Sequence, residues 1–280
     1  MIKQILLIFS VFIFYSAIFA QQIENKQSVS VIPNSCELIT LYDANDFNLK
    51  GSELFLNWYG DPYIIKGSTI AALLPDSTLS LFELPDKSSP TQIFCTPSGI
   101  TYLKNNNLLQ IMEDDTIRTL LKLKNDKFKV SLANDRLFYI IAYDNDSSTV
   151  FLFNAGSLQI IKLINVAGKI NGITGNGDIT YMAIDDKVFL LSDDIVLQIM
   201  EIEQPITMLA GSEYGLFFST ETNIGYIVNS YQPFPFISKP AKKLLPLKNQ
   251  MYIQFEDGTI SILFGLEYFE NFVNSIYNDN

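Results

Sequence analysis

Histidine is absent from all 280 residues. That one gap removes imidazole general bases, Ser-His-Asp and Cys-His nucleophilic sites, and imidazole-ligated zinc. Cysteine occurs twice, at Cys36 and Cys95, and a catalytic thiolate at either would lack its usual base. Positive charge is also scarce: 19 Lys and Arg stand against 30 Asp and Glu, a net charge of −11, which disfavours nucleic acid as a partner. No glycine-rich phosphate loop is present. GITGNG, from Gly172 to Gly177, has the wrong spacing for a P-loop or dinucleotide fingerprint and precedes a strand rather than a helix, so it reads as a turn between repeat units. Apolar runs long enough for a membrane span are missing too, and the longest, Ile5 to Phe19, sits behind Lys3 and ahead of Ala20. That pattern predicts a secretory signal peptide over 1–20, and with it a periplasmic or secreted protein.

What is abundant is short apolar strands. Hydrophobic residues make up 48% of the chain, with 21 Phe and 14 Tyr, enough to fill a large core. Asn171 to Ile202 shows the unit: DITYMAI, an Asp185-Asp186 turn, KVFLL, a second polar break, then IVLQIMEI. Each run is rich in β-branched and aromatic residues, too short for a helix and closed by turn formers, which predicts an antiparallel meander. The central hairpin recurs around Asp76, Asn106, Asp146, Asp186, Thr222 and Asp257, at steps of 30, 40, 40, 36 and 35 residues.

An all-β repeat of that length resembles the blade of a β-propeller. The resemblance covers six hairpins, from Tyr63 to Phe264, and carries neither a tryptophan-aspartate dipeptide nor a kelch double glycine. It is closest in character to six-bladed propellers of exported bacterial proteins, and implies an all-β ring with six blades preferred and seven possible. The domain reading is a signal peptide at 1–20, an N-terminal segment or incomplete blade at 21–60, repeats over 61–265 and a helical tail over 266–280. The 30-residue step implies that one blade has lost a strand. The segment 21–60 offers strands such as LITLY and LFLNW, either as an incomplete first blade or as the outer strand of the last. Tyr231 to Pro240, with three prolines, fits an outermost strand, where an absent donor is harmless. Leu266, Phe269, Val273, Ile276 and Tyr277 recur at helical spacing.

Chemistry is left to carboxylates. The resemblance puts the turns between second and third strands on one face, where propellers usually hold ligands. Those turns bring Asp76, Asp144, Asp146, Asp185, Asp186, Glu221, Glu256 and Asp257, an acidic rim suited to a hard cation such as calcium or to a basic partner. The same residues are the favoured turn formers and keep an exported protein soluble. Asp144-Asn145-Asp146 resembles the start of a calcium loop without its glycine or distal glutamate. One basic cluster, Arg118, Lys122, Lys124, Lys127, Lys129 and Arg136, reads as an edge strand defended by lysine or as a surface for an acidic partner. Cys36 and Cys95 are candidates for one disulfide in an oxidising compartment. The leading functional reading is a non-catalytic propeller that presents its loop face to a protein or cell-envelope partner, without a cofactor. The competing one is a carboxylate- or calcium-dependent hydrolase or lyase with its site at the axis.

Overall fold

The structure, a computed structural model, describes residues 32–43, 49, 51–74, 77–123, 127–175, 179–192, 195–227 and 233–278. The signal peptide expected over 1–20 lies outside these residues. So does Lys124.

Among the described residues, twenty-four strands build six four-stranded antiparallel sheets. After β1 (Glu37–Tyr42), the first blade is β2 (Glu53–Leu56), β3 (Pro62–Lys66), β4 (Thr69–Leu74) and β5 (Ser77–Glu83). The second is β6 (Gln92–Thr96), β7 (Gly99–Lys104), β8 (Asn107–Ile111) and β9 (Ile117–Lys122), and the third β10 (Phe128–Asn134), β11 (Leu137–Asp144), β12 (Ser147–Asn154) and β13 (Gln159–Ala167). The fourth is β14 (Ile170–Gly175), β15 (Thr180–Ile184), β16 (Lys187–Ser192) and β17 (Ile195–Glu201), and the fifth β18 (Met208–Ser212), β19 (Gly215–Ser219), β20 (Ile224–Ile227) and β21 (Phe234–Ile237). The sixth joins both ends of the chain: β22 (Ala241–Leu247), β23 (Gln250–Phe255) and β24 (Ile260–Phe264) receive β1 as their outer strand. The fold is a six-bladed β-propeller, its last blade completed on the outer side by a strand from the N-terminal part of the chain.

Burial explains why the strands read as near-continuous apolar runs. Six apolar clusters separate successive blades, so each sheet is covered on both faces. Between blades three and four, for example, Tyr139, Ile141 and Val150 meet Ile173, Met182 and Leu191.

The turns explain the period. In blades two, three and four the second and third strands are joined by Asn105-Asn106, Asn145-Asp146 and Asp185-Asp186. The first residue of each pair has a left-handed backbone, φ 50°, 40° and 53°, a conformation that Asn and Asp tolerate. The amide just beyond each fourth strand then donates to the carbonyl of the second turn residue: Leu123 to Asn106, Gly168 to Asp146 and Ile202 to Asp186. In the first blade the same bond runs from Leu84 to Ser68, after Gly67 at φ 60°. The true first centre is therefore Ser68, not Asp76, and the spacings become 38, 40 and 40 residues. The expected loss of a strand is corrected: the first blade has all four, and the 30-residue step came from aligning its third-to-fourth connection with turns one strand earlier.

The outer strands share a second regularity. Each carries one extra residue against its neighbour: Leu81, Leu120, Leu163, Ile199, Phe236 and, on β1, Leu41. Every one is a large aliphatic or aromatic residue followed by a second apolar residue, as in Leu163-Ile164 and Ile199-Met200. Strict alternation would put both members of a doublet on opposite faces. The bulge re-aims the strand and sharpens its twist. The proline-bearing β21 is such an outer strand, with Pro235 opposite Gly225.

The tail packs beneath blades five and six. A 3₁₀ turn, Leu266–Tyr268, leads into α1 (Phe269–Asn278), and the buried Leu266, Phe269 and Val273 form its inward stripe. Phe269 lies 5.7, 5.4 and 4.8 Å from the rings of Phe217, Tyr226 and Phe236.

Candidate functional site at the axial mouth

In an antiparallel meander successive turns alternate between two ends. Second-to-third turns and blade-to-blade connections therefore share one end, here called the loop end. A cavity of about 920 Å³ opens there, at the start of the innermost strands of four successive blades. Blade two contributes Thr91, Gln92, Leu103, Asn105 and Asn106, and blade three Phe128, Lys129 and Tyr143. Blade four adds Lys169, Ile170 and Asn171, and blade five Pro205, Ile206, Thr207 and Glu221.

Repeated devices hold these walls. Thr91 and Thr207 each donate twice, through amide and hydroxyl, to one carbonyl at the end of their blade's second strand: that of Leu103, next to last in β7, and that of Ser219, last in β19. Gln92 of β6 acts as a short piece of strand towards blade three: its amide nitrogen donates to the Val130 carbonyl at 2.8 Å, and its oxygen accepts from the Val130 amide at 3.1 Å. Asn171 is an extra residue in β14. Its carbonyl accepts from the Lys129 ammonium at 2.5 Å. The Tyr143 hydroxyl donates to the Ile170 carbonyl at 2.8 Å, and the Lys169 ammonium stands 5.7 Å from the Tyr143 ring centroid.

The electrostatics run against the chain's overall charge. Burial, then the nearby Lys243 and Lys169 charges, lower the pKa of Lys129. Burial pushes the Tyr143 phenol up to about 12. Lys243 has its own counter-charge, Glu53 Oε1 at 2.6 Å. That oxygen is buried and has no well-directed hydrogen-bond donor, so the contact is an ion pair by proximity.

The acidic turn residues scatter around the loop end. Asp144, Asp146, Asp185, Glu221, Glu256 and Asp257 are exposed and Asp186 is half-buried. Only Glu221 lines the cavity. Asp257 takes Lys239 at 2.6 Å and the Thr259 amide at 3.0 Å. Although its partial burial works the other way, these bonds lower its pKa. Asp186 lies 4.0 Å from Lys187. Asp76 lies outside the described residues. Among the described residues no three His, Cys, Asp or Glu side chains converge as a metal site would require.

Several sequence readings change place. The two cysteines are free thiols. Cys36 lies just ahead of the outer strand of blade six, while Cys95 sits on the innermost strand of blade two, so the expected bridge is absent. Cys36 donates instead to the Gly265 carbonyl at 3.0 Å, and burial, with Glu267 nearby, pushes its thiol up to about 11. The basic cluster divides: Arg118 and Lys122 are on the outer strand β9, but Lys129 is on the innermost strand β10 and faces the cavity. The glycine-rich stretch is not a turn between blades, because Gly172 and Gly175 lie within β14. Trp58 stands in the β2–β3 turn at the opposite end, 47% exposed. Lys169, Tyr143, Asn171 and Gln92 escaped the sequence reading. Their only mark in the sequence is position: Lys169, Asn171 and Gln92 are polar residues at or beside the start of an innermost strand, and Tyr143 is next to the last residue of the second strand β11.

No protein-family model and no curated protein matches the chain. Solved structures share its fold at low identity. A gluconolactonase from Xanthomonas campestris superposes with a TM-score of 0.63 at 12% identity, covering 86% of this chain and 96% of that one. Virginiamycin B lyase from Staphylococcus aureus, in a variant inactivated by replacing a histidine with alanine, gives 0.58 at 15% identity over 82% and 99%. Sqt1 from Saccharomyces cerevisiae gives 0.52 at 11% identity over 76% and 83%. Likeness at this level establishes the propeller architecture and leaves function to the site.

Proposed function

We propose that this chain is a non-catalytic binding propeller, exported to a periplasm or beyond, that presents its loop end to a protein or cell-envelope partner. One observation carries the reading. The polar groups that line the axial cavity are amides, hydroxyls and ammonium groups from four blades, with a single carboxylate, Glu221. A lone acid offers no pair for glycoside cleavage, and neither a thiol nor an imidazole faces it. The lyase neighbour loses activity with a histidine, and this chain has none. Export is supported by Lys3, the apolar run from Ile5 to Phe19 and Ala20. No helix among the described residues is long and apolar enough to cross a membrane.

The test is capture from native cell envelope by the full chain, by a loop-end variant carrying Asn106→Arg and Glu221→Arg, and by Tyr268→Arg, an exposed position at the opposite end. A partner retained by the wild type and by Tyr268→Arg, but lost by the loop-end variant, supports the reading. Recovery of nothing reproducible, together with turnover of a substrate, overturns it. Excess calcium is expected to leave the melting temperature unchanged, whereas a calcium-dependent rise would favour the carboxylate-centred alternative.

A further inference from the structure

We propose that the axial cavity is an oxyanion site, which takes the carboxylate or phosphate group of a small ligand between Lys129 and Lys169. The inference rests on the binding role above and names the chemistry recognised.

The first ground is local charge reversal. Acidic residues outnumber basic ones 30 to 19 in the chain, yet the charged groups lining the cavity are Lys129, Lys169 and Glu221. The second is an uncompensated cation. An ammonium carries three donors, and Lys129 donates to one neutral carbonyl, that of Asn171. Among the described residues no carboxylate lies within 4.0 Å of it, although Lys243 nearby has Glu53. The charges that do reach Lys129 have its own sign. Removing an ammonium from water without a counter-charge is costly, and an incoming anion restores the balance in a partly desolvated space where the attraction is strong.

The third ground is placement. Lys129 leaves the innermost strand of blade three, and Lys169 precedes that of blade four. Lys169 rests over a Tyr143 ring whose hydroxyl is tied to Ile170, so the aromatic platform beneath it is fixed from the same strand start. Asn105 and Asn106 bring amide side chains to the same cavity. Its volume exceeds that of a bare phosphate and falls in the range of small-molecule pockets. Glu221, from blade five, repels an anion and weakens binding.

The experiment is calorimetric titration of the full chain at low ionic strength, with inorganic phosphate and, separately, with citrate. Expected is one class of site, with affinity about tenfold or more lower in Lys129→Gln and in Lys169→Gln. Affinity rises in Glu221→Gln, and Lys127→Gln, exposed and outside the cavity, binds as the wild type does. Preference for phosphate or for citrate identifies the source of the oxyanion. Lys129→Gln removes an unbalanced charge and is expected to melt no lower than the wild type, so a lost heat of binding is not lost folding. Equal binding by the two lysine variants and the wild type, or no binding of either anion at millimolar concentration, overturns the proposal. If a chain that binds neither anion still captures its partner through the loop end, this inference falls and the binding role stands.

Discussion

Gln254 of blade six and Leu54 of blade one close the ring through a side chain that imitates backbone. The Gln254 oxygen accepts from the Leu54 amide at 3.0 Å, and its nitrogen donates to the Ser52 carbonyl at 3.2 Å. The two residues are 200 apart in sequence, and Gln254 is 1% exposed. Gln92 makes the same two-sided contact with Val130 between blades two and three. A glutamine amide carries one acceptor and two donors in a plane, so it can pair with both groups of the next blade's innermost strand where no backbone ladder joins the two sheets.

Gln254→Leu leaves the Leu54 amide buried without an acceptor, whereas the Ser52 carbonyl keeps the Lys242 ammonium at 2.6 Å. One orphaned donor costs about 1–3 kcal/mol, which lowers the melting temperature by about 2–12 °C. Gln198→Leu, removing an exposed bond to Glu201, is expected to shift it by no more than about 1–2 °C. Equal melting of the two variants would refute the closure role.

Gly172 tests how closely the innermost strands approach. A methyl group there would stand 2.7 Å from the Leu209 nitrogen and 2.8 Å from the Leu209 Cβ. Backbone cannot rotate away, so Gly172→Ala forces blades four and five apart, at a cost on the order of 1–3 kcal/mol. Thermal unfolding reads it directly, and unchanged stability would mean that the strands part freely.

These cases mark what was legible in the sequence. Blade number and hairpin centres could be read because Asn and Asp occupy the left-handed turn position in three consecutive blades. The first blade uses Gly67 instead, and in one dimension Asp76 is the more turn-like residue. The bulged outer strands leave a trace as well, an apolar doublet such as Leu120-Leu121 that strict alternation forbids. The axial site left little. Lys129 sits among five other basic residues, and nothing in one dimension separates the innermost-strand lysine from the edge-strand Lys122. Gln254 reads as an ordinary strand residue until the ring brings Leu54 to it.

Two free thiols make a simple solution test. Titration of the unfolded chain without reductant is expected to find two thiols per chain, and reductant to leave the melting temperature unchanged. Alkylation of folded Cys36 near pH 8 should be slow relative to the unfolded chain, because its pKa rises from 9.0 to about 11 and the thiolate is the reactive form. Recovery of no thiols would restore the bridge.

Acid should act on the connection between blades one and two. Partial burial works against the charge of Asp86. Its carboxyl is nevertheless held down to about 2, chiefly by the Ser88 hydroxyl at 2.7 Å and the Lys104 ammonium at 2.9 Å, with the Ser88 amide helping. The folded value lies below the ordinary 3.8, so the stabilisation is present above about pH 4 and is lost as pH falls from there to about 2. After allowance for solvent screening it is on the order of 1 kcal/mol, about 2–4 °C in melting temperature. Asp86→Asn, which keeps the shape but not the charge, should melt that much lower than the wild type at neutral pH. The gap should narrow between pH 4 and 2, where the wild type also loses the charge. A gap that stayed constant across that window would mean that shape alone, and not the Asp86–Lys104 charge pair, holds the connection.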